Sequence, residues 1–107
     1  MIKVPATPEG FPAIETLIGE GINVNATLMF SLDQYDAVSQ AYISGLETLD
    51  ANGGDLSGVA SVASFFVSRM DVKVDRMLDD IGTPAGRELR GSIGIANAKM
   101  AYQRFKV

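Results

Sequence analysis

The sequence predicts an α/β fold built from parallel strand–helix units, and three observations carry that prediction. Two short runs with alternate residues on opposite faces (1–7 and 22–30) and a third rich in small and apolar residues (59–67) are separated by runs with apolar residues at helical spacing. The ends of the helical runs carry start and stop signals. Each strand–helix–strand spacing implies a parallel pair joined by a right-handed crossover. The expected order is β-α-β-α-β-α-α within a single domain over residues 1–107. Three strands are too few to close a barrel, which needs eight. Both sheet edges are therefore expected to be open and available for self-association.

The first strand, Met1-Ile2-Lys3-Val4-Pro5-Ala6-Thr7, places Ile2, Val4 and Ala6 on one face and Lys3 on the other. A strand this apolar belongs inside a sheet, so Lys3 is expected to project into a confined space. Desolvation there would free its lone pair and make it a candidate nucleophile. The alternative is a stem lying along the sheet with its head in water. The chain opens directly on this strand, which leads to the expectation that it starts within a larger domain.

A helix is expected over residues 7–20, capped by Thr7, with Ile14, Leu17 and Ile18 as its apolar stripe and Gly21 as its stop. In the second strand Ile22, Val24 and Ala26 alternate with Asn23, Asn25 and Thr27. Two amides and a hydroxyl on one face need partners. A polar interior, as at the mouth of a barrel, accounts for them better than an exposed antiparallel strand. Asn25-Ala26-Thr27 is formally a glycosylation acceptor, rejected here because it lies in a strand predicted to be buried. Ser31-Leu32-Asp33-Gln34 is a capping box opening a helix to about Leu49, with Tyr35, Val38, Tyr42 and Leu46 on one side. The loop over residues 50–58 contains Gly53-Gly54 but precedes a strand, so it reads as a surface turn and not a phosphate cradle.

In the third strand Ala60, Val62, Ser64 and Phe66 share one face. Arg69 follows just past its end. Asp71 is expected to cap a helix over residues 72–81, with Val74, Met77, Leu78 and Ile81 buried. Residues 82–91 read as a connection, and residues 92–106 as a last helix with Ile95, Ala98, Tyr102 and Phe105 near one stripe.

Composition narrows the chemistry. The net charge of -4 and the absence of a basic run argue against nucleic acid as a partner. Without cysteine or histidine, disulfides, thiol nucleophiles, Ser-His-Asp machinery and most transition-metal sites are excluded. No apolar run reaches about 18 residues and no signal peptide is visible, which fits a cytoplasmic protein with no membrane partner. Parallel sheets gather functional groups at the carboxyl ends of their strands. Lys3, Asn25, Thr27, Ser64 and Arg69 fall on or near that end. Together they suit a carbonyl substrate bearing a phosphate: a Schiff base on Lys3, hydroxyls or a water held by Asn25 and Thr27, and a phosphate held by Ser64 and Arg69. Singly, Asn25 could satisfy a backbone group and Arg69 a helix-end salt bridge.

Several runs carry a resemblance: Ile2-Lys3-Val4-Pro5-Ala6-Thr7, Gly21-Ile22-Asn23-Val24-Asn25-Ala26-Thr27-Leu28-Met29-Phe30-Ser31, Ser61-Val62-Ala63-Ser64-Phe65-Phe66-Val67-Ser68-Arg69-Met70-Asp71, and Ala96-Asn97-Ala98-Lys99-Met100-Ala101-Tyr102. In content, spacing and order the chain resembles the middle portion of a transaldolase of the longer bacterial type. That resemblance implies an incomplete (β/α)8 TIM barrel containing the fourth, fifth and sixth strands. It also implies a cofactor-free transferase of the pentose phosphate pathway, moving a dihydroxyacetone unit from sedoheptulose 7-phosphate to glyceraldehyde 3-phosphate. Lys3 matches the Schiff-base lysine, and Asn25 and Thr27 match residues that contact the intermediate and orient water. Ser64 and Arg69 match phosphate-binding positions, and Phe66 matches an aromatic lining the site. The family's proton-shuttling Glu, and an Asp and an Asn, lie on strands that the resemblance places outside this chain. Glu9 and Glu15 are poor substitutes, so efficient turnover is not expected of the isolated chain. Two alternatives stand beside this one: an inactive fragment that binds sugar phosphate or assembles with other chains, and a fructose 6-phosphate aldolase of the same superfamily.

Overall fold

Strands β1 (Ile2–Pro5), β2 (Val24–Met29) and β3 (Val62–Phe65) form one parallel sheet in the order β1-β2-β3. They are joined by helices α1 (Gly10–Gly19) and α2 (Leu32–Ala51) and followed by α3 (Ser68–Ile81), α4 (Pro84–Glu88) and α5 (Ile93–Phe105). The computed structural model describes residues 1–107 and divides into two compact units, Met1–Phe65 and Phe66–Val107. Each is described by itself. The expected α/β class and parallel sheet are observed, and both outer strands have an unpaired edge.

In the first unit, one face of the sheet holds the core. Val4 and Ala6 from β1 and its exit, and Val24, Ala26 and Met29 from β2, are buried against Ile14 and Ile18 of α1 and Val38 and Ala41 of α2. Each large side chain here contributes about 1.5–3 kcal/mol by leaving water. Both helices thus cover the same face. They approach so closely at Gly45 that a Cβ there would lie 2.6 Å from Ile18 Cβ and 2.8 Å from the Glu15 carbonyl oxygen.

The local signals explain these elements. Thr7 Oγ1 accepts from the amide of Gly10 at 3.1 Å, so Thr7 caps the turn that feeds α1. Gly21, at φ 79°, ends the helix, with its amide donating to the Ile18 carbonyl. The Ser31–Gln34 capping box forms as expected, with the Gln34 amide nitrogen of the backbone donating to Ser31 Oγ at 3.1 Å. Strand β3 is shorter than the expected 59–67 at both ends, and residues 56–58 form a short 3-10 turn ahead of it. Asp55 accepts from both the hydroxyl and the amide of Ser57. The hydroxyl first, then the amide, hold its carboxyl below the usual carboxylate range.

The second unit departs from expectation in three ways. Helix α3 begins at Ser68, not near residue 72, and Asp71 does not cap it. The Asp71 carboxylate instead accepts from the amide of Gly94 in the first turn of α5 at 2.8 Å. Asp75, one turn later, accepts from the Gly91 amide at 2.9 Å. Two carboxylates one helical turn apart therefore bind the start of α5, a pairing between distant residues that spacing alone does not reveal. Second, residues 84–88 are helical and not a plain connection, because Thr83 caps them through the Gly86 amide and Pro84 suits the first turn. Third, the apolar stripe of α3 is not buried: Met77 and Ile81 are exposed, and Val74 and Leu78 are half-buried. In α5 the buried positions are Gly94 and Ala101, while Ile95, Tyr102 and Phe105 are exposed.

Gly45→Ala should destabilise the chain by about 1–3 kcal/mol in urea unfolding, since the new methyl meets backbone and a branched side chain. Gly58→Ala, which meets nothing within 4 Å, should stay within about 0.5 kcal/mol of the wild type. The Asp55 carboxyl should titrate below a free aspartate by NMR, and Ser57→Ala should raise its midpoint. Because the folded value is depressed, the stabilisation it brings is present above the unfolded value and is lost as pH falls through the folded one.

Candidate functional site

The alternation of β1 and β2 sends every second side chain away from the helices. Lys3 stands opposite Asn25 in the β1–β2 register, and Pro5 stands opposite Thr27. Asn25 in turn stands opposite Val62 of β3. Partners in a parallel ladder share a face, so Lys3, Asn25, Thr27 and Val62 lie on the side that α1 and α2 leave uncovered. Ser64, two residues beyond Val62, joins them, and its hydroxyl donates to Asn25 Oδ1 at 3.0 Å. Four of the expected site residues are thus on one face of the first unit.

Lys3 is exposed, and not confined as the sequence led us to expect. The reason is structural: only the opposite face of the sheet is covered, and β1 is an edge strand with β2 as its one neighbour. The polar face of β2 is half-buried at Asn25 and Thr27. Thr27 lies just before an irregularity. Leu28 adopts φ 59°, and the β2–β3 register shifts between Ala26 and Met29. A left-handed leucine costs about 1–2 kcal/mol. The extra residue resets the alternation, so that Met29 points into the core.

Phe66 and Arg69 belong to the second unit. The Arg69 guanidinium lies over the Phe66 ring, 5.0 Å from its centroid. A guanidinium at this distance from a ring is attracted by the negative face of its π-system. Arg69 is exposed and occupies the first turn of α3.

Sequence reasoning missed how β3 is attached. Asn23 Oδ1 accepts from the amide of Ala60 at 2.8 Å, and Asn23 Nδ2 donates to the Gly58 carbonyl at 3.4 Å. The amide of Val24 donates to Ser61 Oγ at 2.9 Å. Side chains therefore bridge β2 to the chain entering β3. The signal was present in the polar face of β2, but Asn23 was read with Asn25 and Thr27 as one stripe. No group of three or more carboxylates gathers to hold a metal ion. No helix is long and apolar enough to cross a membrane.

Comparison with known proteins agrees with the motifs. The family model described as Transaldolase/Fructose-6-phosphate aldolase matches residues 1–107. A transaldolase of Arthrobacter sp. (strain FB24) is 54% identical over 106 residues, covering 99% of this chain and 29% of the relative. A transaldolase of Frankia alni is 53% identical over 105 residues, covering 98% of this chain and 28% of the relative. A protein named transaldolase 2 from Streptomyces avermitilis is 51% identical over 106 residues, covering 99% and 28%. The chain spans less than a third of the length of these curated relatives.

Asn23→Ala should cost about 0.5–1 kcal/mol and speed hydrogen exchange at the Ala60 amide, because it deletes the partner of an exposed backbone donor. Unchanged exchange at Ala60 would show that the bridge contributes nothing to holding β3.

Proposed function

We infer, because the chain belongs to the transaldolase/fructose-6-phosphate aldolase family, that Lys3 is the nucleophile of a ketose-phosphate transfer reaction. The observation that carries this reading is the register of Lys3 opposite Asn25, with Asn25 bonded to Ser64 on the same uncovered face. The curated relatives are named as transaldolases, which favours transfer over simple aldol cleavage.

In this reading the Lys3 Nζ lone pair attacks the ketone carbon of the donor, and loss of water leaves a protonated imine. Removal of the proton from the hydroxyl on the far carbon of the bond to be broken turns that carbon into a carbonyl and lets the C–C bond cleave. Its electron pair moves onto the iminium, giving an enamine, and the shortened aldehyde departs. The enamine then adds to an acceptor aldehyde, and water releases the product and free Lys3. Sedoheptulose 7-phosphate and glyceraldehyde 3-phosphate are the proposed donor and acceptor. Asn25 and Thr27 are assigned to hydroxyls of the intermediate or to the hydrolytic water, both being neutral groups able to donate and accept. Ser64 and Arg69 are each assigned to phosphate, and Phe66 to orienting Arg69 and lining the site.

Proton transfer needs a carboxylate, and the acidic residues of the first unit lie on helices and turns, not on the strands. We assign that role to a group from further strands that complete the sheet. The unpaired edges of β1 and β3 and the greater length of the relatives support such completion. Without it, turnover should be slower by roughly 10²–10⁴-fold.

Incubation with fructose 6-phosphate and borohydride should add the reduced sugar to Lys3, located by peptide mass spectrometry, and Lys3→Ala should abolish it. Exposed Lys73, Lys99 and Lys106 serve as internal controls. Label spread evenly over all four would remove Lys3 from the nucleophile's role.

A further inference from the structure

We propose that Gln34 is a positioning residue that holds the Lys3 strand in register. The sequence assigns Gln34 only a local task, as the partner of Ser31 in the capping box. In the structure its side chain does more. Oε1 accepts from the backbone amides of Phe30 at 2.9 Å and Ser31 at 3.2 Å. Nε2 donates to the carbonyl of Ala6 at 2.9 Å, across 28 positions of sequence. The orientation of the amide group follows from these partners: two N–H donors face its oxygen and a carbonyl faces its nitrogen. One side chain therefore ties the exit of β1 to the junction of β2 and α2.

The need for such a tie follows from the geometry of β1. It is a four-residue edge strand with a single neighbour. Its pairing to β2 ends at Pro5 opposite Thr27, with a last rung from the Ala6 amide to the Thr27 carbonyl at 2.9 Å. Immediately beyond, Leu28 turns left-handed at φ 59°, so β2 departs from regular strand geometry. The Gln34 amide supplies a bond to the Ala6 carbonyl where a regular ladder would continue. A slip of β1 by one residue would turn Lys3 toward the core and Val4 toward the open face. Holding Ala6 in place opposes that slip, and so keeps Lys3 opposite Asn25. The inference rests on the assignment of Lys3 as nucleophile for its catalytic meaning, but the tie itself does not.

Gln34→Glu separates the two tasks. Glutamate keeps oxygens for the Phe30 and Ser31 amides and is itself a favoured capping-box residue. Its carboxylate cannot donate to the Ala6 carbonyl. In the 107-residue chain carrying Gln34→Glu, hydrogen exchange at the Ala6 amide should rise about fivefold to tenfold, while the Phe30 amide stays protected. The saturating rate of borohydride trapping at Lys3 with fructose 6-phosphate should fall, with the half-saturating concentration unchanged. Wild-type exchange at Ala6 would overturn the tie. Faster exchange at Ala6 with a wild-type trapping rate would overturn the positioning role. Failure of the unmutated chain to trap at all would instead overturn the nucleophile assignment, and Ala6 exchange would still decide whether the tie exists.

Discussion

The close crossing of α1 and α2 over a single face of the sheet is the constraint on which the first unit depends. Gly45 permits it, since any side chain there would meet Ile18 and the backbone of Glu15. With both helices on one side, Val4, Ala6, Val24, Ala26 and Met29 all have partners. The side chains between them are then forced to the other face by the pleat. The position of Lys3, Asn25, Thr27 and Ser64 is in this sense a by-product of where the apolar residues must go. These polar groups are displayed on the sheet without any of them entering the core.

That arrangement leaves the sheet weakly held at its margins, and side-chain hydrogen bonds compensate there. At the entry to β3, Asn23 and Ser61 take up backbone groups. At the exit of β1, Gln34 does the same. Each of these bonds contributes only about 0.5–1.5 kcal/mol to stability. Their larger consequence is register, because a one-residue slip in a strand inverts the identity of its two faces. In the second unit the same device recurs between helices, where Asp71 and Asp75 take the Gly94 and Gly91 amides. Carboxylates suit the positive end of a helix, and here they join α3 to α5 as well.

Much of the first unit was legible because its signals are local. The Ser31–Gln34 box, Gly21 as a stop, and the alternation in residues 22–27 each report on neighbours within four positions. The parallel order followed from the spacing of the elements. What was not legible depended on distant partners. Asp71 looked like a cap because helices often begin after an aspartate, yet its carboxylate is claimed by Gly94, 23 positions away. The apolar stripe of α3 was visible as periodicity, but periodicity says which side chains share a side and not whether anything covers them. Lys3 shows the same limit: its face was read correctly, and its confinement was not, since confinement requires a second layer. Among the proposed site residues, the polar stripe of β2 pointed to Asn25 and Thr27, while Gln34 stayed hidden behind a sufficient local explanation.

The exposure of Lys3 bears on how the proposed chemistry divides among parts of the fold. The three strands supply geometry: an amine opposite an amide in the β1–β2 register, and a hydroxyl from β3 bonded to that amide. They do not supply dryness, because the face that carries these groups is open on this sheet. A Schiff-base lysine gains from both, the first to orient attack and the second to favour a neutral amine. Orientation arises from pairing between adjacent strands and can be complete in three of them. Exclusion of water requires walls on the remaining sides, so it belongs to whatever closes the sheet. In the proposed reading this chain, at about half identity with relatives more than three times its length, contributes the orientation and further strands contribute the walls.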